Sequence, residues 1–186
     1  MTGVGLYLLA GAVVLFVLWA VLTYNALVSA RNKVQEAWSG IDVQLKRRHD
    51  LVPNLVETVR GYAAHERAAL EVTTVARAAA MTATGPARRS RAESALSGAL
   101  GDVRAVAERY PALQAAEDFQ RLQAQLAEVE DQIQAARRIY NSNVEHYNTR
   151  IQVFPNSVVA AGRFLPREFF EISEPAERAV PAVALG

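Results

Sequence analysis

Residues 4–23 read VGLYLLAGAVVLFVLWAVLT. No Asp, Glu, Lys or Arg precedes Arg31. Twenty helical residues at about 1.5 Å each span about 30 Å, the thickness of bilayer hydrocarbon. Twelve of the twenty are Leu, Val or Phe, and each favours insertion by roughly 0.3–0.6 kcal/mol at the helix centre with no charge to oppose it. Trp19 and Tyr24 fall near one end, where amphipathic rings suit the interface. A cleaved signal peptide would want a basic leader, a shorter apolar core and a small-x-small cleavage site. Here nothing basic comes first, the run is long, and it flows into continuing helix. A core helix of a soluble protein would show a polar face, and this run is apolar all round. The expectation is a transmembrane anchor over residues 1–24, in contact with lipid through residues 4–23.

Arg31 and Lys33 follow the span closely, with Lys46, Arg47 and Arg48 further on, and only the terminal amine precedes it. The positive-inside rule therefore predicts that the domain after the span is cytoplasmic. The chain of 186 residues suits one domain plus the anchor. Twenty basic and 19 acidic residues nearly cancel, so nothing in the charge calls for nucleic acid as a partner. With no cysteine, disulfides, zinc–thiolate sites, iron–sulfur clusters and thiol nucleophiles are excluded.

Beyond Tyr24 a period of 3.6 takes over. One stripe runs Trp38, Ile41, Leu45, Val52, Leu55, Val59 and Tyr62, with Leu70 further on. Pro53 predicts either a kink or a break near His49–Pro53, Asp50 being able to cap a new helix. Gly85-Pro86 punctuates the chain. A second helix is expected over Ala87–Arg109, on the stripe Ala92, Leu96, Ala99, Val103, Val106 and Tyr110. Pro111 opens a third, whose stripe Phe119, Leu122, Leu126, Val129, Ile133, Ala136, Tyr140, Val144, Tyr147 and Ile151 is a near-heptad repeat. Phe154-Pro155 stops it, and Asn156 can cap a short helix over Ser157–Arg163. These segments predict an all-α fold: an antiparallel bundle of three or four long helices over residues 25–172 behind the anchor. Residues 173–186 lack periodicity and are expected to be a disordered tail.

The chain offers little for chemistry. His65-Glu66 begins like a zinc-protease helix, but the position four after His65 is Ala69. A di-iron bundle needs Glu three residues before a histidine, and the residues there are Lys46, Tyr62 and Asn143. No phosphate loop or nucleophile elbow occurs. No cofactor is expected, and Glu128, Glu130 and Asp131 read as a solvated helix face rather than an acid–base pair. The basic run Lys46–His49 lies about 33 Å past the span on a continuous helix, too far for headgroups. That run and Arg88, Arg89 and Arg91 read as solvated faces, with a partner surface as the alternative.

Polar residues inside the apolar stripes say more. Tyr24-Asn25, Tyr140-Asn141 and Tyr147-Asn148 repeat one dipeptide, and the last two are a heptad apart. Buried Tyr and Asn need hydrogen-bond partners, and Arg47, Arg48, Asp50 and Asn54 are candidates to complete a polar core layer. Such a layer either sets the register of the bundle or forms a ligand or partner site. The apolar cluster Phe164, Leu165, Phe169 and Phe170 is a candidate partner surface.

The stretch Tyr24-Asn25 … Arg31-Asn32-x-Val34 … Ala37-Trp38-Ser39-x-Ile41-Asp42 … Leu45-Lys46-Arg47-Arg48-x-Asp50-Leu51-x-Pro53-Asn54-Leu55-Val56 resembles the bacterial LemA family. So do Gly61-Tyr62-Ala63-x-His65-Glu66, Tyr140-Asn141, Tyr147-Asn148, Phe154-Pro155 and Phe169-Phe170-Glu171. The resemblance implies an N-terminal membrane helix in a bacterial cell membrane, a cytoplasmic helical bundle, and no enzyme activity. One branch of the family takes part in building magnetosome membranes, and others lie in gene neighbourhoods with membrane proteases. Together these readings predict a membrane-anchored scaffold or adaptor that meets another membrane protein, a membrane protease among the candidates, or copies of itself. The alternative is a membrane-remodelling or stress-response factor acting on lipid.

Overall fold

In a computed structural model of the chain, residues 2–171 are described. The expected tail at 173–186 lies outside them. Among the described residues six helices occur in order: α1 (Thr2–Tyr62), α2 (Arg67–Thr82), α3 (Pro86–Glu108), α4 (Pro111–Gln114), α5 (Glu117–Gln152) and α6 (Asn156–Ala160). The described residues contain no strand. The all-α fold, with one long apolar N-terminal helix followed by packed helices, is as the periodicities require. Among the described residues two compact units emerge, one from 2–39 with Ile139–Glu168, the other from Gly40–Arg138 with Phe169, Phe170 and Glu171.

The second unit is the helical bundle. Val52, Leu55, Val56 and Val59 of α1, Leu70 and Ala80 of α2, Leu96, Val103 and Val106 of α3, Leu113 of α4, and Phe119, Leu122 and Leu126 of α5 share one apolar core. The stripes drive this, because each helix must bury its apolar face against another. Tyr62, placed on the α1 stripe by spacing, is instead exposed, because α1 ends there and Ala63 turns inward. The turn is tied down through Glu66, which accepts from Arg109 at 2.9 Å and from the Tyr110 hydroxyl at 3.4 Å. Gly85, at φ +79°, starts α3 in the left-handed region that a side chain disfavours. Thr73 of α2 donates to the Ala99 carbonyl of α3 at 3.3 Å.

Pro53 neither breaks α1 nor begins a new helix: α1 runs through it. A proline in mid-helix withholds the N–H that would bond the carbonyl four residues earlier, here that of His49. Arg77 of α2 supplies the missing donor, its Nε lying 2.6 Å from the His49 carbonyl. Asp50 does not act as a cap; it sits in mid-helix and accepts from Lys46 at 2.6 Å.

In the first unit, α5 runs antiparallel to α1. The Trp38 and Tyr140 rings meet edge to face at 5.2 Å, and Asn143 donates to the Lys33 carbonyl at 3.4 Å. Leu27, Ala30 and Val34 of α1 and Val144, Tyr147 and Ile151 of α5 are buried. Residues 3–18 of α1 are exposed throughout, although α1 contains a stretch long and apolar enough to cross a membrane. α6 is shorter than the expected Ser157–Arg163 helix. It begins at Asn156 with Pro155 before it, and the chain turns away at Gly162, whose φ is +72°.

If Arg77 compensates for Pro53, the two positions are energetically linked. Arg77→Ala should destabilise the detergent-solubilised protein by about 1–3 kcal/mol, the cost of an unpaired buried carbonyl. In a Pro53→Ala background, where residue 53 can bond His49 itself, most of that loss should vanish. A double-mutant cycle by thermal or urea unfolding measures this, and additive effects would refute the compensation.

Candidate functional site

Two polar sites stand out, one in each unit. The first is an ion cluster inside the bundle. Arg48 of α1 is inserted where a core residue is due, since Ile41, Leu45, Arg48, Val52, Leu55 and Val59 step by four and three. Its side chain is 2 % exposed, and that of its partner Glu93, on α3, is 0 % exposed. Arg48 Nη2 donates to Glu93 Oε2, while Nη1 donates to Ser97 Oγ at 3.0 Å and to Glu130 of α5 at 2.9 Å. The buried His49 lies with Nε2 2.8 Å from Glu93 Oε1. A carboxylate only accepts, so that nitrogen carries the proton. One arginine thus joins three helices.

Burial, the strongest single influence, pushes the Glu93 carboxyl up. The His49 hydrogen bond, the Arg48 charge and the Arg48 hydrogen bond together outweigh it and hold Glu93 below its ordinary value of 4.5. A shallow groove of about 340 Å³ adjoins the cluster, its polar lining being Arg48, Ser97, Arg104, Gln123, Glu130 and Asp131. The terminal nitrogens of Arg48 are already committed to Glu93, Ser97 and Glu130. The chemistry of the cluster is therefore that of a fastener. Among the described residues no group of three or more His, Asp or Glu side chains is arranged to hold a metal ion.

The second site is in the first unit, where the segment after α6 is strapped across α5. Tyr147 donates its hydroxyl to the Leu165 carbonyl at 3.0 Å, and Tyr140 to the Glu168 carbonyl at 2.8 Å. Asn148 does both jobs at once: its Nδ2 donates to the Arg167 carbonyl at 2.9 Å and its Oδ1 accepts from the Arg167 N–H at 2.8 Å. Burial, the main effect, raises the Tyr140 pKa above 10.0, so its proton remains available to donate. Phe164 is buried at the start of the strap, its ring 5.5 Å from that of Tyr24 and under the Arg31 guanidinium at 5.7 Å.

These contacts correct the expected polar layer. Tyr140, Tyr147 and Asn148 find partners in the backbone of the strap, not in Arg47, Arg48, Asp50 or Asn54. Asn141 is half-buried, whereas Arg47, Asp50 and Asn54 are exposed; of the four α1 residues only Arg48 is in a core. Arg47 makes a rim ion pair with Glu128 at 3.3 Å, and Lys46 holds the Asp50 carboxyl below its usual range through a hydrogen bond. The reason is angular: on a 3.6-residue helix Arg47, Asp50 and Asn54 lie off the Leu45–Arg48–Val52 stripe. The expected partner surface is also divided. Phe164 and Phe170 are core residues, while Leu165 and Phe169 are exposed. Glu93 escaped the sequence reading, and the basic run Lys46–His49 is not the solvated face expected of it, since Arg48 and His49 are buried. The available signal was a polar residue at stripe spacing, since Ser90, Glu93, Leu96 and Ala99 recur every three residues along α3.

A family model described as the LemA family matches residues 37–185. The chain is 26 % identical over 187 aligned positions to the Magnetosome proteins MamQ 1 and MamQ 2 of Paramagnetospirillum magneticum, covering 86 % of this chain and 69 % of each relative. It is 25 % identical over 170 positions to the Magnetosome protein MamQ of Magnetospirillum gryphiswaldense, covering 77 % of this chain and 62 % of that one.

Three measurements check the roles assigned here. Arg48→Ala leaves Glu93 buried with one cationic partner fewer, and should cost about 3–5 kcal/mol of stability. The Arg48→Met/Glu93→Leu pair should recover most of it, because an apolar pair removes both desolvated charges. Since the Glu93 pKa is depressed by folding, its contribution is whole above pH 4.5 and declines as pH falls below that value. Glu93→Gln should flatten this acid limb of the unfolding profile. For the strap, Tyr147→Phe with Asn148→Ala should speed tryptic cleavage after Arg167 several-fold in the folded protein. Unchanged cleavage would show that these bonds do not hold the segment.

Proposed function

The chain belongs to the LemA family, and on that premise we propose that it is a membrane-anchored helical scaffold or adaptor without catalytic activity. Residues 4–23 would hold it in a bacterial cell membrane as a single pass. The domain that follows would lie on the cytoplasmic side, where Arg31 and Lys33 favour retention. The partner would be another membrane protein, a membrane protease among the candidates, or a second copy of the chain.

One observation carries this reading: a run of large apolar side chains, Leu8 at 70 % exposed, Leu15 at 67 % and Phe16 at 62 % among them, heads the same helix that supplies Arg48 and Val52 to the bundle. Apolar exposure on that scale needs a non-aqueous surrounding. The rest of the chain supports an assembly role. Its buried ionic groups are spent on joining helices, and neither the family's description nor the relatives' names is that of an enzyme. Leu165 and Phe169 are exposed apolar side chains that a protein partner could cover.

The test uses the full chain in native membranes, with a photo-reactive amino acid at position 169. Carbonate washing should leave the protein in the membrane, and illumination should yield a discrete adduct with one membrane protein or with a second copy. Release by carbonate would overturn the anchor. Monomer alone, in membranes that retain the protein, would overturn the adaptor.

A further inference from the structure

The end of α5 and the turn into α6 expose three large apolar side chains: Val153 at 52 %, Phe154 at 78 % and Val158 at 61 %. This is not a frayed end. Ile151 and Ala160 on either side are buried, and the turn is closed by Ser157 N–H to the Val153 carbonyl at 3.0 Å and Val158 N–H to the Pro155 carbonyl at 3.1 Å. The unit therefore holds these side chains outward.

Their height along α1 follows from the antiparallel register. Trp38 faces Tyr140 and Lys33 faces Asn143. Continued at the helical rise of about 1.5 Å per residue, this register brings the end of α5 level with about residue 24 of α1. The Tyr24–Phe164 ring contact fixes the same level from the other side of the turn. Residue 24 is where the apolar run of residues 4–23 ends. Val153, Phe154 and Val158 thus lie at the depth where hydrocarbon gives way to headgroups.

We propose that this turn rests in the headgroup–acyl boundary beside the span, giving the unit a second grip on the bilayer. The proposal depends on residues 4–23 spanning the membrane, and goes beyond it by naming lipid as what covers the α5–α6 turn. Apolar side chains in such a position bury to about 5–10 Å in the boundary. The charge around the turn suits an anionic surface. The described part of this unit carries Arg31, Lys33, Arg150, Arg163 and Arg167 against Glu36, Glu145 and Glu168. Exposed Arg31 lies over the Phe164 ring, and exposed Arg163 precedes Phe164 in the chain, placing both guanidinium groups near headgroup phosphates.

The chain has no cysteine, so single-cysteine variants of the full protein report depth directly. Val153→Cys, Val158→Cys, Leu15→Cys in mid-span and Ser142→Cys on the exposed side of α5 would each be spin-labelled. Each would be reconstituted in vesicles of phosphatidylethanolamine and phosphatidylglycerol, and probed by collision with oxygen and with a water-soluble nickel chelate. Labels at 153 and 158 should show an oxygen-to-nickel ratio several-fold above that at 142 and below that at 15. Adding Phe154→Asp to Val158→Cys should raise nickel access at 158. Labels at 153 and 158 that match 142 while 15 lies in hydrocarbon would overturn the proposal and leave the anchor standing. A label at 15 open to nickel would overturn the anchor, and the proposal with it. Spin–spin broadening at 158 that disappears on dilution with unlabelled chain would assign the turn to a second copy and overturn the lipid contact.

Discussion

A carboxylate shut away from water must be matched by donors and positive charge, or it takes up a proton. Glu93 is in that position, and the bundle is arranged around meeting its demand. Arg48 and His49 are consecutive on α1, and both reach the same carboxylate. Arg48 then extends to Ser97 and Glu130, so its charge is shared between α3 and α5. The backbone of the same two-residue segment carries a second constraint, because Pro53 leaves the His49 carbonyl without its helical donor and Arg77 of α2 fills the place. Every helix of appreciable length in this unit is therefore fixed to one turn of α1. Such contacts specify more than they stabilise, since an apolar pair could fill the same volume at little loss. What they exclude is a shifted register, in which a buried charge would face an apolar side chain.

The same logic shows why some of this was legible in the sequence and some was not. Apolar spacing predicted α1, α3 and α5 and most of their buried faces, because burial of a stripe depends on local periodicity alone. The pause at residues 63–66 between α1 and α2 has no Gly or Pro beyond Gly61 to mark it. It is held by Glu66 bonding to Arg109 and Tyr110, residues more than forty positions away. Pro53 was visible as an irregularity, but its resolution lay in Arg77, a residue on another helix. Arg48 is visible as a candidate, yet Arg47, Asp50 and Asn54 share only its neighbourhood in sequence, which is not nearness on a helix face. Buried Tyr140 and Tyr147 each need a hydrogen-bond partner. Their acceptors proved to be main-chain carbonyls at Leu165 and Glu168, which no side-chain pattern announces.

In the first unit the strap makes an apolar surface smaller than the sequence suggests. Phe164 turns in beneath Arg31 and against Tyr24, and the Asn148 amide holds the Arg167 peptide at both its polar groups. A segment that reads as a row of aromatic and aliphatic residues is thus a closing strand of chain pinned by its own backbone. Of this segment, Leu165 remains outward.

The proposed adaptor would act by position. A single span would confine it to two dimensions, and confinement raises the local concentration of any partner in the same membrane. An interface too weak to form in solution can then hold, just as joining two binding modules strengthens both without a new contact. Two grips on the bilayer would strengthen the effect. A helix held only at its span is free to tilt, because length alone does not set tilt and flanking anchors do. A second apolar contact at the boundary restricts that tilt, and restricted orientation lowers the entropy still to be lost when a partner docks. Under the proposed reading, charges spent internally and apolar groups gathered at one depth are features that a membrane-bound adaptor requires.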